Sequence, residues 1–93
     1  NLRQAKFNSA NLTGVNLKGA DLSQADLTNT KLVNANLVGV NLMEANLTKA
    51  TLRGANLSQS NLRGANLLET DLHNANLCET ILPDGSLSQQ GCF

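Results

Sequence analysis

Leucine recurs at every fifth position of this chain, and that spacing constrains the fold more than any other feature. From Leu2 to Leu82 every position of the series is Leu except Phe7, and Leu87 continues the spacing once more. Two residues before each position of the series from Phe7 to Leu82 lies a small residue, mostly Ala, and Asn or Asp usually separates the two. The chain is therefore a tandem array of a five-residue unit, Ala-Asn-Leu-X-X. We call its positions small, Asx, Leu, first X and second X.

This unit predicts a short strand followed by a corner. Small and Leu positions two apart share one face of a strand, because side chains alternate along it. The second X position often holds Gly or Asn, which suits a type II turn that needs φ > 0. Four right-angled corners would close a coil of about twenty residues, stacked on the next at about 4.8 Å. An α-helix is disfavoured, because a five-residue spacing drifts by about 140° between successive Leu residues.

The repeated Ala-(Asn/Asp)-Leu-X-X motif resembles the pentapeptide repeat proteins, in particular cyanobacterial and plastid-lumen members. The resemblance covers residues 1–87. It implies an all-β fold, a right-handed quadrilateral β-helix of about four coils with the small and Leu side chains inside. We expect the β-helix to span residues 1–82. Residues 83–93, beginning with Pro83-Asp84-Gly85, are expected to form a C-terminal turn and capping tail.

Composition narrows the function. Seven acidic and seven basic residues cancel, and Trp and Tyr are absent. No basic stripe indicates nucleic-acid binding, and no apolar run reaches the length of a membrane span. We expect a non-enzymatic structural or protein-interaction module whose partner and oligomeric state the sequence does not specify. The alternative is a DNA mimic that inhibits a type II topoisomerase, as some family members do, but zero net charge and a short rod disfavour it.

Catalytic, cofactor-binding and metal-binding residues are not predicted. His73 is the only histidine and lies in a first X position. A metal site that joins it to Cys92 is conceivable, but a solvated surface histidine is the simpler interpretation. Val33, Val38 and Met43 fill three successive first X positions and form a possible partner patch. The alternative is that they are ordinary exposed apolar residues.

Cys78 and Cys92 are the only cysteines. Cys78 lies in the first X position of the last full unit, and Cys92 lies in the tail. We expect a disulfide between them that holds the tail over the end of the column. Two unrelated thiols in a reducing cell are the alternative. The localisation is not specified by the sequence, but a bridge would favour the thylakoid lumen or the periplasm.

Overall fold

A repeat of twenty residues organises the backbone. The fold is described from a computed structural model, which covers residues 1–92. Parallel bridges join each Asx position to the one twenty residues later, from Lys6↔Asp26 to Asn61↔Ile81. The chain is therefore a solenoid of stacked coils, with overall extents of 33 × 24 × 22 Å. Leu22 lies over Leu2 as predicted, because the Leu2 N–H donates to the carbonyl of Asp21 at 2.8 Å.

Each coil presents four faces, which we number in chain order. Their Leu-position columns are Leu2, Leu22, Leu42, Leu62 and Leu82 on face 1; Phe7, Leu27, Leu47 and Leu67 on face 2; Leu12, Leu32, Leu52 and Leu72 on face 3; and Leu17, Leu37, Leu57 and Leu77 on face 4.

The faces are too short to be regular strands, which corrects the expected strand in every unit. Each face makes its bridge at a single residue. Among residues 1–92 the strands are β1, Thr80–Ile81, and β2, Leu87–Ser88. These two pair antiparallel between the last unit and the tail, with Thr80 opposite Ser88. A corner every five residues leaves no room for a longer strand.

The corners are the predicted turns. The N–H of each small residue donates to the carbonyl of the preceding Leu position, as from Ala45 to Leu42 at 3.1 Å. The second X residue has positive φ in every unit, and this holds for Gln, Ser, Glu and Lys as well as for Gly and Asn. Lys49, for example, has φ of 60°. A left-handed conformation costs roughly 1–2 kcal/mol for a residue with a Cβ, so the stacked coils impose the corner on residues that do not prefer it.

The core is a single column of side chains from the small and Leu positions. Every Leu position from Leu22 to Leu62 is buried, with an exposed fraction of 0%. The buried threonine hydroxyls at small positions donate to backbone carbonyls of the previous coil, as from Thr30 Oγ1 to the carbonyl of Phe7 at 2.8 Å. The buried Ser60 hydroxyl instead donates to Thr80 Oγ1 at 3.4 Å. Among residues 1–92 no buried polar side-chain atom lacks a partner. The column therefore tolerates Thr and Ser, which the sequence pattern identified only as small.

In the interior units of the column, four of the five N–H groups form backbone hydrogen bonds. The Leu and second X positions donate to the following coil, the small position closes the turn, and the Asx position donates to the preceding coil. One unit shows the set: Leu42 to Asn61 at 2.8 Å, Glu44 to Arg63 at 2.9 Å, Ala45 to Leu42 at 3.1 Å and Asn46 to Ala25 at 3.0 Å.

The fifth N–H explains why the Asx position exists. The first X N–H points outward, and the Asx side chain accepts it, as Asn56 Oδ1 does from Ser58 at 3.0 Å. Short polar side chains that bond to the backbone two residues later form this Asx turn readily. At Ile81 no such acceptor is needed, since the residue two positions later is Pro83, which has no N–H.

Candidate interaction surfaces

The outward side chains stack into columns with the same register of twenty residues. On face 1, Gln4 Nε2 donates to Gln24 Oε1 at 2.8 Å, and Gln24 Nε2 donates to Glu44 Oε1 at 3.1 Å. On face 3, Arg53 Nε lies 2.7 Å from Asp71 Oδ2 in an exposed ion pair. Such a pair contributes little stability. These contacts join outward side chains of neighbouring coils on faces 1 and 3.

Charge is distributed unevenly along the column, although the total is zero. Residues 1–20 contain Arg3, Lys6 and Lys18 and no acidic residue, a net charge of +3. Residues 61–93 contain one basic residue, Arg63, against four acidic residues, a net charge of −3. These acidic residues are Glu69, Asp71, Glu79 and Asp84. Residues 1–20 and residues 61–93 therefore carry opposite charge, which the overall composition conceals.

All four aspartates occupy Asx turns, and hydrogen bonding lowers the pKa of each. Asp21 accepts from the hydroxyl of Ser23 at 2.7 Å and from its N–H at 3.0 Å, which holds the pKa of this carboxyl below 3.8. At Asp71 the pKa falls chiefly because of the hydrogen bond from Arg53. The carboxylates thus act as turn acceptors in their charged form.

The predicted patch of Val33, Val38 and Met43 lies on three successive faces of the column, and each residue is half-buried. Val38 lies in the first X column of face 4, between Lys18 and Ser58. The patch is therefore an apolar belt around part of one coil rather than a flat area. We call these three residues the belt.

Two large apolar side chains are more exposed than the belt. Leu68 is 62% exposed, and Leu87 is 57% exposed. The sequence placed Leu87 in the five-residue series, but it points outward because it pairs with the outward Ile81 across β1 and β2. Because the chain reverses after Pro83, Leu87 keeps the five-residue spacing but does not occupy an inward position of a further unit.

The tail is attached to the last coil by backbone hydrogen bonds and by a disulfide. The expected Cys78–Cys92 bridge is present, with Cα atoms 5.0 Å apart. The N–H groups of Leu77 and Glu79 donate to the tail carbonyls of Gln90 and Ser88 at 3.1 and 2.8 Å. In the earlier coils the equivalent groups donate to a parallel coil. The tail thus takes the place of a following coil on face 4, with its direction reversed.

His73 is exposed, and its backbone N–H donates to Asp71 Oδ1 at 3.0 Å. Within residues 1–92 no group of three or more His, Cys, Asp or Glu side chains is placed to hold a metal ion. The same residues enclose no pocket. No helix in the described part of the chain is long and apolar enough to cross a membrane.

Comparison with known proteins supports the resemblance. The family model for pentapeptide repeats matches residues 1–24, 20–59 and 45–84. A pentapeptide repeat protein from Nostoc PCC 7120 is 42% identical, with a TM-score of 0.78 over 78% of this chain and 60% of that protein. One from Cyanothece 51142 is 40% identical, with a TM-score of 0.65 over 83% of this chain and 56% of that protein. Comparison with curated proteins gave no match.

A plant relative extends the comparison. A pentapeptide repeat protein from the thylakoid lumen of Arabidopsis thaliana is 27% identical, with a TM-score of 0.63 over 95% of this chain and 68% of that protein. This chain spans less than two thirds of the two cyanobacterial proteins. The repeat, its register of twenty residues and these matches lead to one conclusion: the chain belongs to the pentapeptide repeat family.

Proposed function

We propose that this chain is a non-enzymatic interaction module that binds a protein partner on the outer faces of a right-handed quadrilateral β-helix of about four coils. The observation that carries the proposal is that backbone hydrogen bonds between coils hold the column together, so the outward side chains of its faces are available for recognition. Pentapeptide repeat proteins are generally structural or interaction modules. In this proposal residues 1–82 form the module and residues 83–93 form its capping tail, of which Phe93 lies outside the described residues.

The belt is the proposed contact for the partner. Apolar side chains in first X positions lose little conformational freedom on binding, because the stacked coils already fix their backbone. Val38 and Ser58 provide a matched comparison, since both are half-buried first X residues of face 4 in neighbouring coils. A charge at Val38 would be buried against the partner, whereas a charge at Ser58 would lie beside the belt.

Affinity isolation with the oxidised protein tests this function. We expect Val38→Glu to lose the partner that the unsubstituted chain retains, and Ser58→Glu to keep it. Circular dichroism and the melting temperature of both variants should match the parent, so that loss of folding is excluded. Equal retention by the two variants, or the absence of any partner for the parent chain, would overturn the proposal.

The compartment is also part of the proposal. A structural disulfide persists in oxidising compartments and is rare in a reducing cytosol. The Cys78–Cys92 bridge therefore supports the periplasm or the thylakoid lumen. Alkylation of free thiols in intact cells before lysis would test this compartment. A bridge that forms only after lysis would leave both cysteines open to alkylation.

A further inference from the structure

We propose that Met43 is a modification site for peroxides, and that conversion of its thioether to a sulfoxide releases the partner from the belt. Because Met43 belongs to the belt, this proposal rests on the proposed function and adds its regulation. Three observations support it: the number of oxidisable sulfur atoms in the chain, the outward position of Met43, and the hydrogen bonds of the polar side chains beside it.

Sulfur occurs in three side chains, and only one of them is a free thiol or a thioether. Cys78 and Cys92 are the only cysteines, and both are used in the bridge. Met43 is the only methionine. Peroxides oxidise methionine thioethers and cysteine thiolates, and their rate depends on how accessible the sulfur is. With the bridge intact, Met43 is therefore the single sulfur target of this kind in the chain.

The backbone holds Met43 with its side chain outside the core. Its N–H donates to Asn41 Oδ1 at 3.0 Å, and its carbonyl accepts from the Gln24 N–H at 2.8 Å. The preceding residue, Leu42, is 0% exposed, whereas Met43 is half-buried. The buried side chains of the described residues are those of Leu, Ala, Val, Thr and Ser. Oxidation of Met43 can therefore leave the packing of the column unchanged.

The polar neighbours of Met43 in the first X column of face 1 already have contacts of their own. Ser23, one coil earlier, donates its hydroxyl to Asp21 Oδ1 at 2.7 Å. Arg63, one coil later, reaches toward the tail, where a Cβ on Gly85 would lie 2.9 Å from Arg63 Nη1. A sulfoxide oxygen at position 43 would therefore take its hydrogen bonds from water. A partner seated on the belt would remove that water.

The modification is an oxygen transfer. Hydrogen peroxide gives one oxygen atom to the Met43 sulfur: the S–O bond forms as the O–O bond breaks, and the other oxygen leaves as water with both protons. The sulfur loses two electrons, and the peroxide gains them. A flexible apolar side chain becomes a polar one that accepts hydrogen bonds. Burying this group without a donor opposes binding, whereas Val33 and Val38 contain no sulfur and stay apolar.

Peroxide treatment followed by peptide mass spectrometry tests the oxidation step. We expect Met43 of the folded chain to gain one oxygen atom at a rate within about tenfold of that in the urea-unfolded chain. The matched control, Leu42→Met/Met43→Leu, moves the thioether to the adjacent inward position by volume-conserving exchanges. Its oxidation in the folded chain should be slower than that of Met43 by about tenfold or more. Equal rates at the two positions, or a circular dichroism spectrum lost on oxidation of Met43, would overturn the proposal.

Competition within a half-oxidised sample tests the effect on binding. The probe is the protein that the unsubstituted chain retains in the affinity isolation described above, supplied in limiting amount. Chains that carry Met43 as a thioether and chains that carry it as a sulfoxide then compete for this partner. The sulfoxide form should be depleted about tenfold in the bound fraction relative to the unbound fraction, the penalty expected for burying one polar group without a hydrogen bond.

Leu68→Met provides a control on the same molecule. Leu68 is also a first X residue, but it is 62% exposed and lies on face 2, which carries no belt residue. Sulfoxide at position 68 should be distributed equally between bound and unbound chains. Equal distribution of the Met43 sulfoxide, or depletion at both positions, would overturn the modification site and leave the interaction module standing. Failure of the chain with unmodified Met43 to retain any partner would overturn the module and this proposal together.

Discussion

Removing a core leucine from the middle of the column should be far more costly than removing one near its end. Leu47 is 0% exposed, whereas Leu67 is half-buried in the same face 2 column one coil later. We therefore compare Leu47→Ala with Leu67→Ala, two substitutions that delete the same atoms from the same column.

The magnitude follows from the transferred atoms and from the rigidity of the site. Leu→Ala removes about three carbons, worth roughly 2.4 kcal/mol at about 0.8 kcal/mol each. The cavity adds to this when its walls cannot close. The coils on both sides of Leu47 are fixed by ladder hydrogen bonds, with Leu27 N–H to Asn46 at 2.8 Å and Leu47 N–H to Asn66 at 2.9 Å. We expect Leu47→Ala to cost about 3–5 kcal/mol and Leu67→Ala about 1–2 kcal/mol.

Urea unfolding of the oxidised protein, followed by circular dichroism, measures both costs. The m-values should match that of the parent, so that the shift in midpoint reports stability alone. The exposed Lys49→Ala should change the free energy of unfolding by less than about 0.5 kcal/mol. Equal losses for Leu47→Ala and Leu67→Ala would refute the reasoning, because the column would then lack a buried middle.

Three further outcomes follow from the turns and the charges. Asn56→Ala leaves the Ser58 N–H without its acceptor and should cost about 1 kcal/mol in urea unfolding. Thr51→Ala should cost less, because among residues 1–92 the Thr51 side chain accepts no hydrogen bond from the first X N–H of Arg53. Equal costs would contradict the Asx-turn explanation. The four aspartates have folded pKa values below 3.8. Their stabilising effect should therefore be complete above pH 3.8 and decline as the pH falls through the lowered pKa values. A melting temperature that rises on acidification below pH 3.8 would contradict this. Because net charge is zero, we expect no inhibition of DNA supercoiling by gyrase at micromolar protein; salt-sensitive inhibition would instead support a DNA mimic.

The tail and the corners show what the sequence left undecided. The two cysteines and the Pro83-Asp84-Gly85 turn predicted a bridged tail, and the bridge is present. The direction of β2 and the outward position of Leu87 required the structure, because a five-residue spacing does not reveal that the chain has reversed. Similarly, Gly and Asn predicted turns, but positive φ at Lys49 or Glu79 followed only from the coils stacked around them.

The sequence by itself determined the repeat, the inward and outward positions and the length of a coil. These properties are local and periodic, so every unit restates them, and one conflicting residue such as Phe7 does not obscure them. Only the tertiary structure decided which backbone groups pair between coils and which outward side chains lie next to each other. Those properties depend on residues twenty apart that are brought together by stacking. The Asx position shows both levels, since its presence is visible in the sequence and its reason is an outward N–H that only the folded column presents.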